Sequence, residues 1–183
     1  MDMKLYIARH GQTDWNLESR AQGRTDVPLN KTGISQAETL RDKIVDMEFD
    51  ICYASPLKRA AKTAEIIVNG KCPIVYNDLL VERCFGDFEG KKGKDLIDIM
   101  KADTYSRRLN YSKHNVESIR DTLERSRKFL EFVKSENPET ARVLVVAHGE
   151  LLKTLHFNIV GYDDDTNFRE FHLENGELAE YKI

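Results

Sequence analysis

Cysteine is scarce in this sequence: Cys52, Cys72 and Cys84 are an odd set, and their spacing fits neither a disulfide framework nor a zinc site. Reduced thiols in a reducing compartment follow. Only four prolines occur, and no Pro/Gly/Ser-rich stretch, internal repeat or low-complexity tract marks a domain boundary. The 183 residues are therefore expected to form one domain, 1–183. No run approaches the roughly 18 apolar residues of a membrane span. The N-terminus also lacks the basic, apolar and small-residue order of a secretion signal, so a cytoplasmic location away from membranes is expected. Neither sign of charge dominates: 28 Lys and Arg are interspersed with 31 Asp and Glu, for a net −3. That balance argues against non-specific binding to nucleic acid or lipid, and any anion site must be local.

What is present is an alternation of apolar runs and amphipathic segments. Residues 4–8 (KLYIA), 50–54 (DICYA), Pro73 to Tyr76 and 142–147 (RVLVVA) read as strands, the last a β-branched run of the kind buried on both faces. A helix is expected from Thr32, with Thr32 as N-cap and Ile34, Ala37, Leu40, Ile44 and Val45 on its apolar face. Ser55-Pro56 is expected to open a second helix, serine at the cap and proline at its first position. Val116 to Ser135 and Leu151 to Ile159 read as two more, and residues 77–115 are the least regular. Phe168 to Leu173 and Leu178 to Tyr181, joined through Asn175-Gly176, suggest a closing hairpin. Strands alternating with helices predict an α/β fold, layered about a mainly parallel sheet, in which ligands gather at the carboxyl ends of the strands.

Two of five histidines stand at such ends. Arg9-His10-Gly11 follows KLYIA, and His148-Gly149 follows RVLVVA. A lone strand-end histidine is more often a core residue bonded to backbone, but two followed by glycine, where backbone N–H groups can approach a ligand, point to a shared site. Arg9 buried beside them would need an anionic partner, because a stranded guanidinium costs several kcal/mol. Ser55-Pro56-Leu57-Lys58-Arg59 marks a third exit and brings Arg59 to the start of a helix, where anions are favoured. Two histidines and two arginines suit phosphoryl chemistry: neutral imidazole attacks phosphorus, arginines neutralise the equatorial oxygens, and no metal or other cofactor is called for. The leaving alkoxide needs an acid. The segment 81–90 (VERCFGDFEG) offers Glu82, Asp87 and Glu89, which composition does not rank.

With these residues assembled, the chain resembles the histidine phosphatase superfamily, the phosphoglycerate mutase-like family. The resemblance rests on RHG at Arg9-His10-Gly11, QGRTDVPLNKTG from Gln22 to Gly33, SPLKRA from Ser55 to Ala60, E-x-x-F-G-x-x-E-G from Glu82 to Gly90, and HG at His148-Gly149. It implies a three-layer α/β/α fold, His10 as the nucleophile, Arg9, Arg59 and His148 on the phosphoryl group, and Glu82 as proton donor. It also implies phosphate-pocket roles for Asn16, Gln22, Gly23 and Gly149. Glu82-Arg83 is similar to the acid position of the mutases, where the arginine holds substrate, and Arg107-Arg108 to a paired arginine of theirs. Against a mutase, the chain is short, Glu150 follows the second HG, and Glu117-Ser118 is closer to the phosphatase branch.

The expectation is a phosphatase for a small phosphorylated metabolite, monomeric or homodimeric, with a cofactor-dependent mutase or a non-catalytic phosphate binder as rivals. A cysteine-based phosphatase is excluded, because six residues beyond Cys52, Cys72 and Cys84 stand Lys58, Asp78 and Gly90 rather than arginine. Residues 91–115, with seven Lys and Arg against three Asp, are the expected specificity flap, Arg107 and Arg108 reaching the substrate. His114, His156 and His172 have no motif context and are read as structural or surface residues.

Overall fold

The computed structural model describes residues 2–92, 109–163 and 165–183. Five strands, β1 (Lys4–Arg9), β2 (Ile51–Ala54), β3 (Ile74–Tyr76), β4 (Arg142–Ala147) and β5 (Leu178–Lys182), form one sheet in the order β3-β2-β4-β1-β5. All neighbours run parallel except β5, which is antiparallel to β1. The α-helices among the described residues are α1 (Asp14–Leu17), α2 (Lys31–Lys43), α3 (Lys58–Val68), α4 (Ile119–Glu136) and α5 (Gly149–Val160).

Strand side chains alternate between faces, and the central strands are apolar on both. Leu5, Ile7, Val143 and Val145 pack with Phe129, Leu130 and Val133 of α4 and Leu151, Leu152 and Leu155 of α5. Tyr6, Ala8, Cys52, Ala54, Leu144 and Val146 meet Leu40 of α2 and Ala60, Ala64, Ile67 and Val68 of α3 on the opposite side. Two cores sharing one sheet make the three-layer α/β/α arrangement.

Several local expectations need correction. Asn30, not Thr32, caps α2: its Oδ1 accepts from Gly33 N at 2.9 Å. Asn30 also donates through N and Nδ2 to Gln12, so a tertiary contact selects the cap. On the expected apolar face of α2, Ile34 and Val45 are exposed while Ala37, Leu40 and Ile44 are buried. Ser55 does not cap α3, whose N-cap is Leu57, and Pro56 lies before the helix; the buried Ser55 hydroxyl is held by His148 instead. The long helix starts at Ile119 behind its cap Ser118 rather than at Val116. No hairpin closes the chain: 168–173 is not a strand, because Phe168 and Leu173 fill separate apolar clusters, and β5 pairs with β1.

The loop leaving β1 lies against the start of α2 at a glycine-on-glycine contact. A Cβ on Gly11 would meet Gly33 O at 2.2 Å, and one on Gly33 would meet Gln12 O at 2.1 Å. Replacing a helical glycine by alanine ordinarily stabilises by about 1 kcal/mol. Here the sign is expected to reverse, with Gly33→Ala destabilising by about 1–3 kcal/mol through overpacking. Urea unfolding of the two proteins measures it.

Candidate active site

Register decides how the two histidines meet. Arg9 on β1 is paired with Ala147 on β4, so the next residue of each strand, His10 and His148, leaves the sheet beside its counterpart. His10 N donates to Ala147 O at 3.0 Å, and the two rings lie 5.1 Å apart, centroid to centroid. Ser55, one residue past β2, is tied to β4 by Ser55 N donating to Val146 O. Three neighbouring strand ends thus supply the floor of one site. Thr63 of α3 braces it, accepting from Gly11 N at 3.1 Å and donating to Arg59 O at 2.7 Å.

Hydrogen bonds assign the tautomers. Nδ1 of His10 lies 2.7 Å from the carbonyl of Gly11, an acceptor only, so Nδ1 carries the proton and Nε2 the lone pair. Burial, then the charge of Arg59 and, more weakly, Arg9, pushes the His10 imidazole well below its ordinary value against the opposing Gly11 bond, keeping it neutral. His148 is fully buried. Its Nδ1 accepts from Arg59 Nε at 3.2 Å, which leaves the proton on Nε2, 2.8 Å from Ser55 Oγ. Burial, Arg59, His10 and Arg9 likewise hold it neutral.

Arg59 is buried to 0% exposure. Its donors go to His148 Nδ1, Thr25 O (2.8 Å) and Gly23 O (2.7 Å), and among the described residues no carboxylate lies within ion-pair distance of it or of Arg9. Burial works against both charges, offset first by Glu82. Arg9 reaches Leu173 O at 2.7 Å, while its buried Nε has no partner. An unmet buried donor costs about 1–3 kcal/mol, and the oxygen of a bound anion would meet it. His172, at the surface as expected, also lies against Arg9, Nε2 to Nη1 at 3.2 Å.

The carboxylates that composition left unranked separate by environment. Glu82 is buried, and its Oε1 accepts from Arg83 N (2.9 Å) and Leu151 N (3.0 Å), its Oε2 from Glu150 N (3.2 Å). Two of these amides belong to the first turn of α5, whose N-cap is His148. Burial, then the nearby Glu150, raises Glu82 above the ordinary glutamate value despite those donors. Burial also disfavours charge on Glu89, but Thr25, Arg24 and Phe85 donate to it and hold it below its usual value. It is a loop brace, and it fills the space beside Gly23, where a Cβ would sit 2.1 Å from Glu89 Oε1 and φ is +51°. Asp87 is exposed and accepts from Asn115.

The other expected residues divide. Asn16 and Gln22 are drawn together by Thr13, whose N and Oγ1 lie within hydrogen-bond reach of their side-chain oxygens, leaving both amide nitrogens as donors. Gly149 packs against the Arg9 guanidinium, an ideal Cβ lying 3.5 Å from Arg9 Cζ. Arg83 is buried but already engaged, by Glu117 O at 2.7 Å and Glu150 at 3.8 Å. Arg107 and Arg108, and most of the 91–115 flap, fall outside the described residues.

A parallel-sheet α/β/α protein that gathers neutral histidines and arginines without a carboxylate partner at its strand ends has the architecture of the phosphoglycerate mutase-like enzymes. The chain belongs to the histidine phosphatase superfamily (branch 1), whose profile matches residues 5–183. It is similar to the uncharacterized phosphatase PhoE of Bacillus subtilis, 37% identical over 180 residues, covering 96% of this chain and 89% of that one. A 2,3-bisphosphoglycerate-dependent phosphoglycerate mutase of Cytophaga hutchinsonii is 33% identical over 162 residues, 85% of this chain and 76% of that one. Among solved structures, the mycobacterial glucosyl-3-phosphoglycerate phosphatase in complex with VO3 superposes with a TM-score of 0.86 at 26% identity, covering 97% of this chain and 91% of that one. Among the described residues no helix is long and apolar enough to cross a membrane.

Proposed function

We propose that the protein hydrolyses phosphate monoesters of small metabolites through a phosphohistidine at His10. The observation that carries this reading is the fully buried Arg59 with no carboxylate partner, beside a neutral His10 and the unpartnered Nε of Arg9. Arg9 and Arg59 neutralise the phosphoryl oxygens, His148 borders the same group, and Asn16, Gln22 and the backbone at Gly23 and Gly149 complete the cradle. His10 Nε2 attacks phosphorus, the ester P–O bond breaks, and the leaving oxygen takes the proton of Glu82. Water, giving a proton to the Glu82 carboxylate, then attacks the phosphorus; a P–O bond forms, the P–Nε2 bond breaks, and inorganic phosphate leaves with both residues restored.

Hydrolysis is favoured over transfer between positions of a bisphosphorylated ligand by Glu150. Its carboxylate, about one-third exposed, stands in the first turn of α5 and pairs with Arg83 and Lys153. It places negative charge where a second phosphate would approach and occupies the arginine that, in the mutases, helps hold the substrate carboxylate. Release of inorganic phosphate is measured across sugar phosphates, phosphoglycerates and nucleotides, alongside isomerisation of phosphoglycerate with and without 2,3-bisphosphoglycerate. Phosphate release without isomerisation is expected. Isomerisation as the faster reaction would replace the phosphatase reading with the mutase.

A further inference from the structure

The proposed acid Glu82 sits in an irregular segment, so something other than a strand or helix must fix its place. Glu117, just ahead of α4, and Arg125, within it, are bonded to that segment. Glu117 lies immediately before Ser118, the helix cap, and Arg125 in the second turn of α4. Both side chains are nearly buried, 12% and 14% exposed, and they meet in a fork: Arg125 Nε to Glu117 Oε1 and Nη2 to Oε2, each at 2.9 Å.

Most of the remaining bonds of the fork go to the segment around Glu82. Arg125 Nη1 donates to Leu79 O (2.8 Å) and Val81 O (2.6 Å), and Nη2 reaches Glu82 O at 3.4 Å. Glu117 brackets the residues that follow: its N–H donates to Cys84 O at 2.9 Å, its Oε2 accepts from Cys84 N at 3.1 Å, and its carbonyl accepts from Arg83 Nε at 2.7 Å. Arg24, from the loop before α2, spans the same two acceptors, Glu117 Oε2 at 3.3 Å and Glu82 O at 3.4 Å. The main chain on both sides of Glu82 is thereby fixed to the start of α4, while its carboxyl reaches the start of α5. Neither Glu117 nor Arg125 is hydrogen-bonded to His10, Arg59 or His148 among the described residues.

We propose that Glu117 and Arg125 are a positioning pair that aims the Glu82 carboxyl at the leaving-group oxygen. The pair rests on the assignment of Glu82 as the acid. Its signature is a loss that grows with the basicity of the leaving group, because only a poor leaving group needs the proton. A residue that merely held the fold together would lower all substrates alike.

The experiment compares kcat/KM for p-nitrophenyl, phenyl and glycerol phosphate in wild type, Glu117→Gln, Glu82→Gln and the double variant; kcat/KM reports transfer to His10 and is blind to its later hydrolysis. Glu117→Gln is expected to lose about twofold on p-nitrophenyl phosphate, about fivefold on phenyl phosphate and about tenfold on glycerol phosphate, a fraction of the 10²–10⁴ a positioned acid contributes. Added to Glu82→Gln it should cost nothing more on the poor leaving groups. Equal losses across the three substrates, or losses that add to those of Glu82→Gln, would overturn the pair. A uniform loss in Glu82→Gln itself would remove the acid assignment, and the pair with it. Should Glu117→Gln unfold, Arg24→Ala serves, since that side chain is about half exposed; the same pattern is expected at about threefold, and a flat response there overturns the pair.

Discussion

Replacing His10 with alanine is expected to abolish turnover while leaving the protein folded. A lost nucleophile typically costs on the order of 10⁴–10⁶ in rate. The fold survives because His10 stands beyond the end of β1: both sheet cores are built from Leu5 to Ala8 and their neighbours, without it. The bond lost from Nδ1 to Gly11 O and the small space left should cost about 1–2 kcal/mol. Arg9 and Arg59 remain, so the variant should still bind inorganic phosphate. Kinetics with p-nitrophenyl phosphate, a thermal melt and calorimetric titration with phosphate check the three statements. Wild-type hydrolysis by His10→Ala would end the mechanism.

Glu82→Gln should lower kcat/KM on an alkyl phosphate by about 10²–10⁴, and on p-nitrophenyl phosphate by far less, since that leaving group departs without a proton. The pH profile sharpens the expectation. His10 must be neutral to attack, and its depressed value leaves it so well below pH 6.5. Glu82 must be protonated to donate, and its raised value extends that form above the range of an ordinary glutamic acid. kcat/KM on alkyl phosphates is therefore bell-shaped, rising as His10 loses its proton and falling as pH passes through the raised value of Glu82. The alkaline fall should be absent for p-nitrophenyl phosphate and in Glu82→Gln. A persistent alkaline limb in Glu82→Gln would assign the proton to another group.

Much of this site is legible in sequence because strand exits are. An apolar run that stops at a histidine and a glycine announces both a strand and what its end presents, and this occurs at His10 and at His148. Parallel pairing then brings them together. What pattern does not carry is the choice among equivalent local chemistries. Asn30 and Thr32 both suit an N-cap, and Gln12, from a loop 18 residues earlier, selects Asn30. Ser55 has the composition of a cap but is claimed by His148. Phe168 and Leu173 look like strand residues, yet burial in two apolar clusters satisfies them without a ladder.

Composition does not rank the acid for a related reason, and in the sequence only the family resemblance singles out Glu82. Glu82, Asp87 and Glu89 share a loop and a composition, and only burial and partners distinguish them. Arg125 is one of three arginines on a helix whose outer face is charged. Its role depends on carbonyl groups more than forty residues away, and main-chain acceptors leave no trace in side-chain pattern.

The most direct test is to stop the wild-type enzyme during turnover of p-nitrophenyl phosphate by rapid denaturation and to map covalent phosphate by peptide mass spectrometry. Phosphate on His10, labile to acid and stable to base, is the predicted result. An unmodified His10, or phosphate on any other side chain, would contradict the account.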